Sequence, residues 1–102
     1  MTRNKASRPF KETSRGMLKD PETAAMYLEE ILAEGDIELF KAALKDVAAA
    51  RVGNMTALAS ETHLAHEALY RSLSRKGNPR LDTLTKVLHA AGLRLSITPE
   101  VA

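Results

Sequence analysis

The sequence predicts an all-α fold of five helices behind a basic N-terminal arm, with one short strand near the C-terminus. Three observations carry that expectation. Apolar residues recur three and four positions apart along most of the chain, which is the period of one helix face. Much of the apolar fraction is Ala and Leu, both good helix formers. Aromatics are scarce: Phe10, Tyr27, Phe40 and Tyr70 are the whole set and there is no Trp. The core must therefore be aliphatic, which suits packed helices better than an aromatic-rich sheet. A chain of 102 residues fits a single domain with one modest core.

Residues 1–19 hold Ser, Thr, Gly and Pro without a sustained apolar period. They read as a flexible arm with at most a short helix over residues 12–18. Asp20-Pro21-Glu22 then opens the first long helix, with a capping acid, Pro at the first helical position and an acid facing the positive end of the dipole. Ala24, Tyr27, Leu28, Ile31 and Leu32 follow at helical spacing, and Gly35 ends the run. Asp36 caps the next helix, whose stripe is Ile37, Leu39, Phe40, Ala43, Leu44 and Val47 and whose stop signal is Gly53. These two helices form an antiparallel hairpin. Asn54 or Thr56 caps a short helix over residues 56–61. Another spans residues 65–74 and closes at Lys76-Gly77-Asn78-Pro79. The last, over residues 81–91, lines up Leu81, Leu84, Val87, Leu88 and Ala91 before Gly92. Residues 93–98 alternate apolar and polar as a strand does, and Pro99 closes them. The expected organisation is an arm at 1–19, a helical domain at 20–98 and a tail at 99–102.

The net charge of +2 hides an uneven distribution. Residues 1–19 carry six bases and one acid, residues 20–46 eight acids and two bases, and residues 47–102 seven bases and four acids. Phosphate neutralisation needs local positive charge, so a near-neutral total does not exclude DNA binding. The absence of Cys excludes disulfides and thiolate metal sites. Three His without matching partners make a poor zinc site, and no cofactor is expected. No stretch approaches the ~20 apolar residues of a membrane helix, and no signal-peptide segment is visible. A cytoplasmic protein without membrane association is expected.

The informative window is residues 56–74, which has the makings of a helix-turn-helix. Two short helices that cross steeply need a small residue at the crossing, here Ala59 after Leu58. Their turn buries one apolar residue, here Leu64, and the second helix anchors itself through Leu69 and Leu73 at i and i+4. His66, Glu67, Tyr70, Arg71 and Ser74 are left facing outward, where a major groove can be read. Thr56, Arg75, Lys76, Asn78 and Arg80 fall where phosphates would pass. The residue before the buried turn position often has positive φ and is commonly Gly. Here it is His63, a type that tolerates the region better than most.

Leu58-Ala59, Leu64, Leu69-Tyr70-Arg71-Ser72-Leu73-Ser74, Gly77-Asn78-Pro79 and the run from Leu84 through Val87-Leu88 to Gly92-Leu93-Arg94-Leu95 resemble the HigA-like addiction-module antidote proteins of the Xre/Cro superfamily. Asp20-Pro21-Glu22, Tyr27-Leu28, Phe40 and Ala43-Leu44 resemble that family's helical hairpin, so the resemblance covers residues 10–98. It implies a five-helix Xre/Cro-like fold, binding of double-stranded operator DNA and a partner toxin of the RelE/ParE type. The function expected is an antitoxin of a type II toxin–antitoxin module that represses its own operon.

Each candidate has a plainer alternative. Arg71 is read as a base or phosphate contact, against a solvated pairing with Glu67 at i, i+4. Tyr70 reaches a phosphate or a thymine methyl, or is a half-buried surface ring. Glu67 accepts from cytosine or merely orients Arg71. His66 is a contact or plainly exposed; His63 belongs to the turn, and His89 is assigned no role. The basic arm clamps phosphates, meets another protein or is a solvated tail. The acidic helices suit a basic partner such as a ribonuclease toxin, or only keep one face soluble. Leu93, Leu95 and Ile97 pair across a two-fold axis as a homodimer contact, the favoured reading since one recognition helix reads a half-site, or add to a partner's sheet. An enzyme is disfavoured because His66, Glu67, Tyr70 and Arg71 are strung along one helix. A stand-alone Cro-type repressor and a helical protein-binding adaptor are the alternative functions.

Overall fold

The computed structural model describes residues 16–101. From Pro21 onward five helices follow one another among the described residues: α1 (Pro21–Glu34), α2 (Ile37–Arg51), α3 (Met55–Thr62), α4 (His66–Ser72) and α5 (Leu81–Ala90). Of the arm expected over residues 1–19, residues 1–15, with most of the helix expected at 12–18, lie outside the described residues; residues 16 and 17 are helical and Leu18 is buried in the core.

The long hairpin forms where its punctuation says it should. The Asp20 carboxylate accepts from the Thr23 N–H at 2.9 Å and Pro21 stands at the first position of α1. The Thr23 hydroxyl donates to the same carboxylate oxygen at 2.9 Å. Those bonds, that of the backbone N–H first, hold the Asp20 carboxyl below its ordinary 3.8. Gly35 ends α1 at φ 82°, where a Cβ would be strained, and its N–H donates to the Leu32 carbonyl. Asp36 caps α2 by accepting from the Leu39 N–H at 3.0 Å. Ala24, Leu28 and Ile31 of α1 are buried, as are Phe40, Ala43, Leu44 and Val47 of α2, and the two helices pack together. Tyr27 is half-buried; burial and then the Asp46 charge push its hydroxyl above the usual range.

The three shorter helices close the core. Asn54 supplies the cap of α3, accepting from the Ala57 N–H at 2.8 Å, so the helix starts at Met55 and Thr56 falls inside its first turn. Helix α3 packs on α4 and α5, and α5 also reaches α2. Leu44 and Val47 of α2 meet a core completed by Leu58, Leu69, Leu73 and Val87, all nearly inaccessible to water. Full burial of each such Leu contributes about 1.5–3 kcal/mol. Arg51 at the end of α2 ties the unit together, its guanidinium donating to the carbonyls of Ala91 and Lys19.

The expected C-terminal strand is not formed. No strand is present among the described residues, and residues 93–101 have no regular secondary structure. The reason lies in how α5 ends. Gly92 adopts φ 82°, its N–H donates to His89, and the Leu93 N–H donates back to the Leu88 carbonyl at 2.8 Å. This is a Schellman closure, which takes the first strand residue's donor for the helix. Leu93 packs half-buried against the core, while Leu95 is 43% and Ile97 96% exposed. An isolated extended segment has no ladder to join.

Candidate functional site

The window 56–74 folds as two short helices joined by a tight turn. Leu58 is buried and Ala59 beside it half-buried, so α3 presents a small residue next to its anchor. The Thr62 hydroxyl is buried at the end of α3, donating to the Leu58 carbonyl at 2.8 Å and accepting from the Leu64 N–H at 3.3 Å. His63 then turns the chain at φ 60°, ψ 28°, the left-handed conformation that the turn demands. Leu64 is half-buried rather than sealed beneath both helices. The buried Thr62 carries part of the role expected of Leu64. A hydroxyl one residue before the turn was the available signal.

Helix α4 divides cleanly into two faces. Leu69 and Leu73 are 0% and 1% exposed and pin it to the core. His66, Glu67, Tyr70 and Arg71 all face solvent, with Tyr70 62% exposed. No ion pair joins Glu67 to Arg71, although both are described. Ser74 departs from the other four. It lies past the end of α4 at Ser72, is half-buried, and donates its hydroxyl to the Arg71 carbonyl at 2.8 Å.

The flanking candidates lie on α3 and on the loop after α4. Thr56, Arg75, Lys76, Asn78 and Arg80 are exposed. Arg75 approaches Glu38 of α2 at 3.5 Å and Arg80 approaches Asp82 at 3.5 Å, both pairs at the surface. Such pairs are weak, about 0–1 kcal/mol, and leave both cations available. Beneath the loop sits a residue that the sequence reading missed. Lys41 of α2 is only 4% exposed, and its ammonium donates to the carbonyls of Arg75, at 3.0 Å, and Gly77.

The surface of the helical hairpin is acidic. Glu22, Glu29, Glu30 and Glu34 of α1, with Asp36 and Glu38, are exposed. An open groove of about 370 Å³ runs between α1 and the C-terminal segment, with Leu28, Leu32, Phe40, Leu93 and Leu95 among its lining. Among the described residues no cluster of His, Asp and Glu could hold a metal ion, and no helix is long and apolar enough to cross a membrane.

Fold and site together define a small all-helical protein that mounts one polar, solvent-facing helix on an aliphatic core. Residues 9–99 match the family described as "Probable addiction module antidote protein", and the chain belongs to that family. It is also similar to an uncharacterized protein of Haemophilus influenzae strain Rd, 41% identical over 80 residues, which are 78% of this chain and 80% of the relative. No solved structure matches it. An antidote acts against a toxin, so a toxin partner comes with the family.

Proposed function

We propose that this chain is a HigA-like, Xre/Cro-type antitoxin that binds its own operator as a homodimer and neutralises a RelE/ParE-type toxin in the cytoplasm. The observation that carries the DNA half is the division of α4, with His66, Glu67, Tyr70 and Arg71 outward while Leu69 and Leu73 anchor the inner face. A helix so mounted can enter a major groove as a rigid body, with base-reading side chains in front. Arg75, Lys76, Asn78 and Arg80 beyond it, with Thr56 on α3, supply phosphate contacts that fix register. Leu95 and Ile97 offer exposed apolar surface to a second copy, which would place two recognition helices on successive half-sites. No step of this function needs catalysis, and the polar side chains of α4 follow one helix instead of converging on a reacting atom. The toxin half is supported by the family and by the exposed acids of α1 and α2, which suit a basic partner.

Fluorescence anisotropy against DNA from its own promoter and against scrambled DNA, at two salt concentrations, tests the DNA half. Promoter binding that is ~10³-fold tighter than scrambled and weakens with salt is expected. Equal and weak affinity for both would refute sequence-specific repression. The acidic hairpin would then make a protein-binding adaptor the better reading.

A further inference from the structure

We propose that Lys41 is a positioning residue for DNA: its buried ammonium holds the loop over residues 75–80 in the shape that presents Arg75, Lys76, Asn78 and Arg80 to phosphates. The proposal rests on the DNA-binding reading above.

Lysine is almost never fully buried unless paired, yet Lys41 is 4% exposed and neither ion pair among the described residues includes it. Its partners are the backbone carbonyls of Arg75 and Gly77, 34 and 36 residues further along the chain. An apolar side chain of the same length would fill that part of the core without desolvating a charge. What the ammonium adds is a fixed point for a segment without regular structure. The same loop is clamped from its other side. The Gly77 N–H donates to the Ser74 carbonyl at 3.0 Å. A Cβ at Gly77 would lie 2.0 Å from the Arg71 carbonyl oxygen and 2.6 Å from that of Ser72. The loop backbone is thus held between α2 and the end of α4, with four of the five phosphate candidates on it.

Phosphate contacts carry no sequence information. Lys41 therefore acts on affinity for all duplex DNA alike, whereas the outward residues of α4 act on the ratio between sequences. The test is anisotropy on the full chain as wild type, Lys41→Met and Lys86→Met, with promoter and scrambled duplexes over a range of salt. Lys86 is exposed on α5, so its variant loses the same charge away from the loop. Lys41→Met is expected to bind both duplexes on the order of 10-fold more weakly than Lys86→Met. Its salt slope falls by about one to two phosphates, and its preference for the promoter is unchanged.

NMR hydrogen exchange on the wild-type chain adds a readout that needs no folded variant. One lysine ammonium should exchange far more slowly than the exposed ones, and the Gly77 amide should be protected. Lys41→Met behaving as Lys86→Met in a chain that does prefer its promoter would overturn the role of Lys41 alone. So would a wild type in which every lysine ammonium exchanges fast. A wild type without measurable DNA affinity would overturn the DNA-binding reading and this proposal together.

Discussion

His63→Gly should make the protein slightly more stable, and the turn geometry sets the amount. His63 is the one non-glycine residue with positive φ among those described, at 60°, and its side chain is exposed, so its removal loses no packing. Holding an L residue in the left-handed region costs about 1–2 kcal/mol; His, being better tolerated than most, lies toward the lower end. Glycine releases that strain but gives the unfolded chain more freedom, about 0.5–1 kcal/mol. The difference leaves a net gain near 0.5 kcal/mol, or about 2–4 °C in Tm for a domain of this size. His63→Val probes the same angle from the other side, because a β-branched residue at positive φ is a genuine outlier. It should destabilise by more than 1 kcal/mol, so the two variants differ by about 1.5–2 kcal/mol. Urea and thermal unfolding followed by circular dichroism measure both. A valine variant as stable as the glycine variant would show that the turn does not hold residue 63 in the left-handed region, and the orientation of α4 would need another cause.

Arg71→Ala should lower the promoter-to-scrambled affinity ratio by about 1–3 kcal/mol, the worth of one bidentate base contact, and leave the dichroism spectrum unchanged because the side chain is exposed. An unaltered ratio would remove Arg71 from base reading. Asn54→Ala takes away the cap that accepts from the Ala57 N–H and should cost about 1 kcal/mol in urea unfolding; a change within error would mean that Thr56 can cap in its place. Asp20 makes a pH-dependent contribution of known sign. Its carboxyl is lowered from 3.8 in the folded state, so the stability it confers is complete above that value and is lost as pH falls through the folded value. The Tm gap between wild type and Asp20→Ala should accordingly be open at neutral pH and close in strong acid. A gap that is constant with pH would contradict the charged cap.

Much of the architecture was legible because its signals are local. Asp20-Pro21 and Asp36 cap helices through side chains three residues from the donor they satisfy, and Gly35 and Gly92 mark left-handed stops. The inner face of α4 followed from the i, i+4 spacing of Leu69 and Leu73. Boundaries were harder. Asn54 and Thr56 are both competent caps, and only the fold selects the first. Helix α4 stops at Ser72 rather than residue 74, since the Ser74 hydroxyl takes up the Arg71 carbonyl. The strand failed for a different reason. Alternation in residues 93–98 reports which side chains prefer burial, but a strand also needs a neighbouring backbone, and α5 had already claimed the Leu93 N–H. Lys41 was illegible altogether. Its place next to Phe40 looks like the polar flank of an apolar stripe, and what buries it arrives more than thirty residues later.

The scarcity of aromatic side chains has an optical consequence. With no Trp and two Tyr in the chain, near-ultraviolet absorbance and intrinsic emission come almost wholly from one phenol on the acidic hairpin and one on α4. Tyr27 is half-buried, with a hydroxyl pushed above the ordinary range, while Tyr70 is 62% exposed. The two rings differ in surroundings, Tyr27 packed against the core and Tyr70 standing in solvent. A molecule that settles against α4 and one that settles against the hairpin would therefore dim different halves of the emission, and the unlabelled protein can report by itself which of its two faces has been covered.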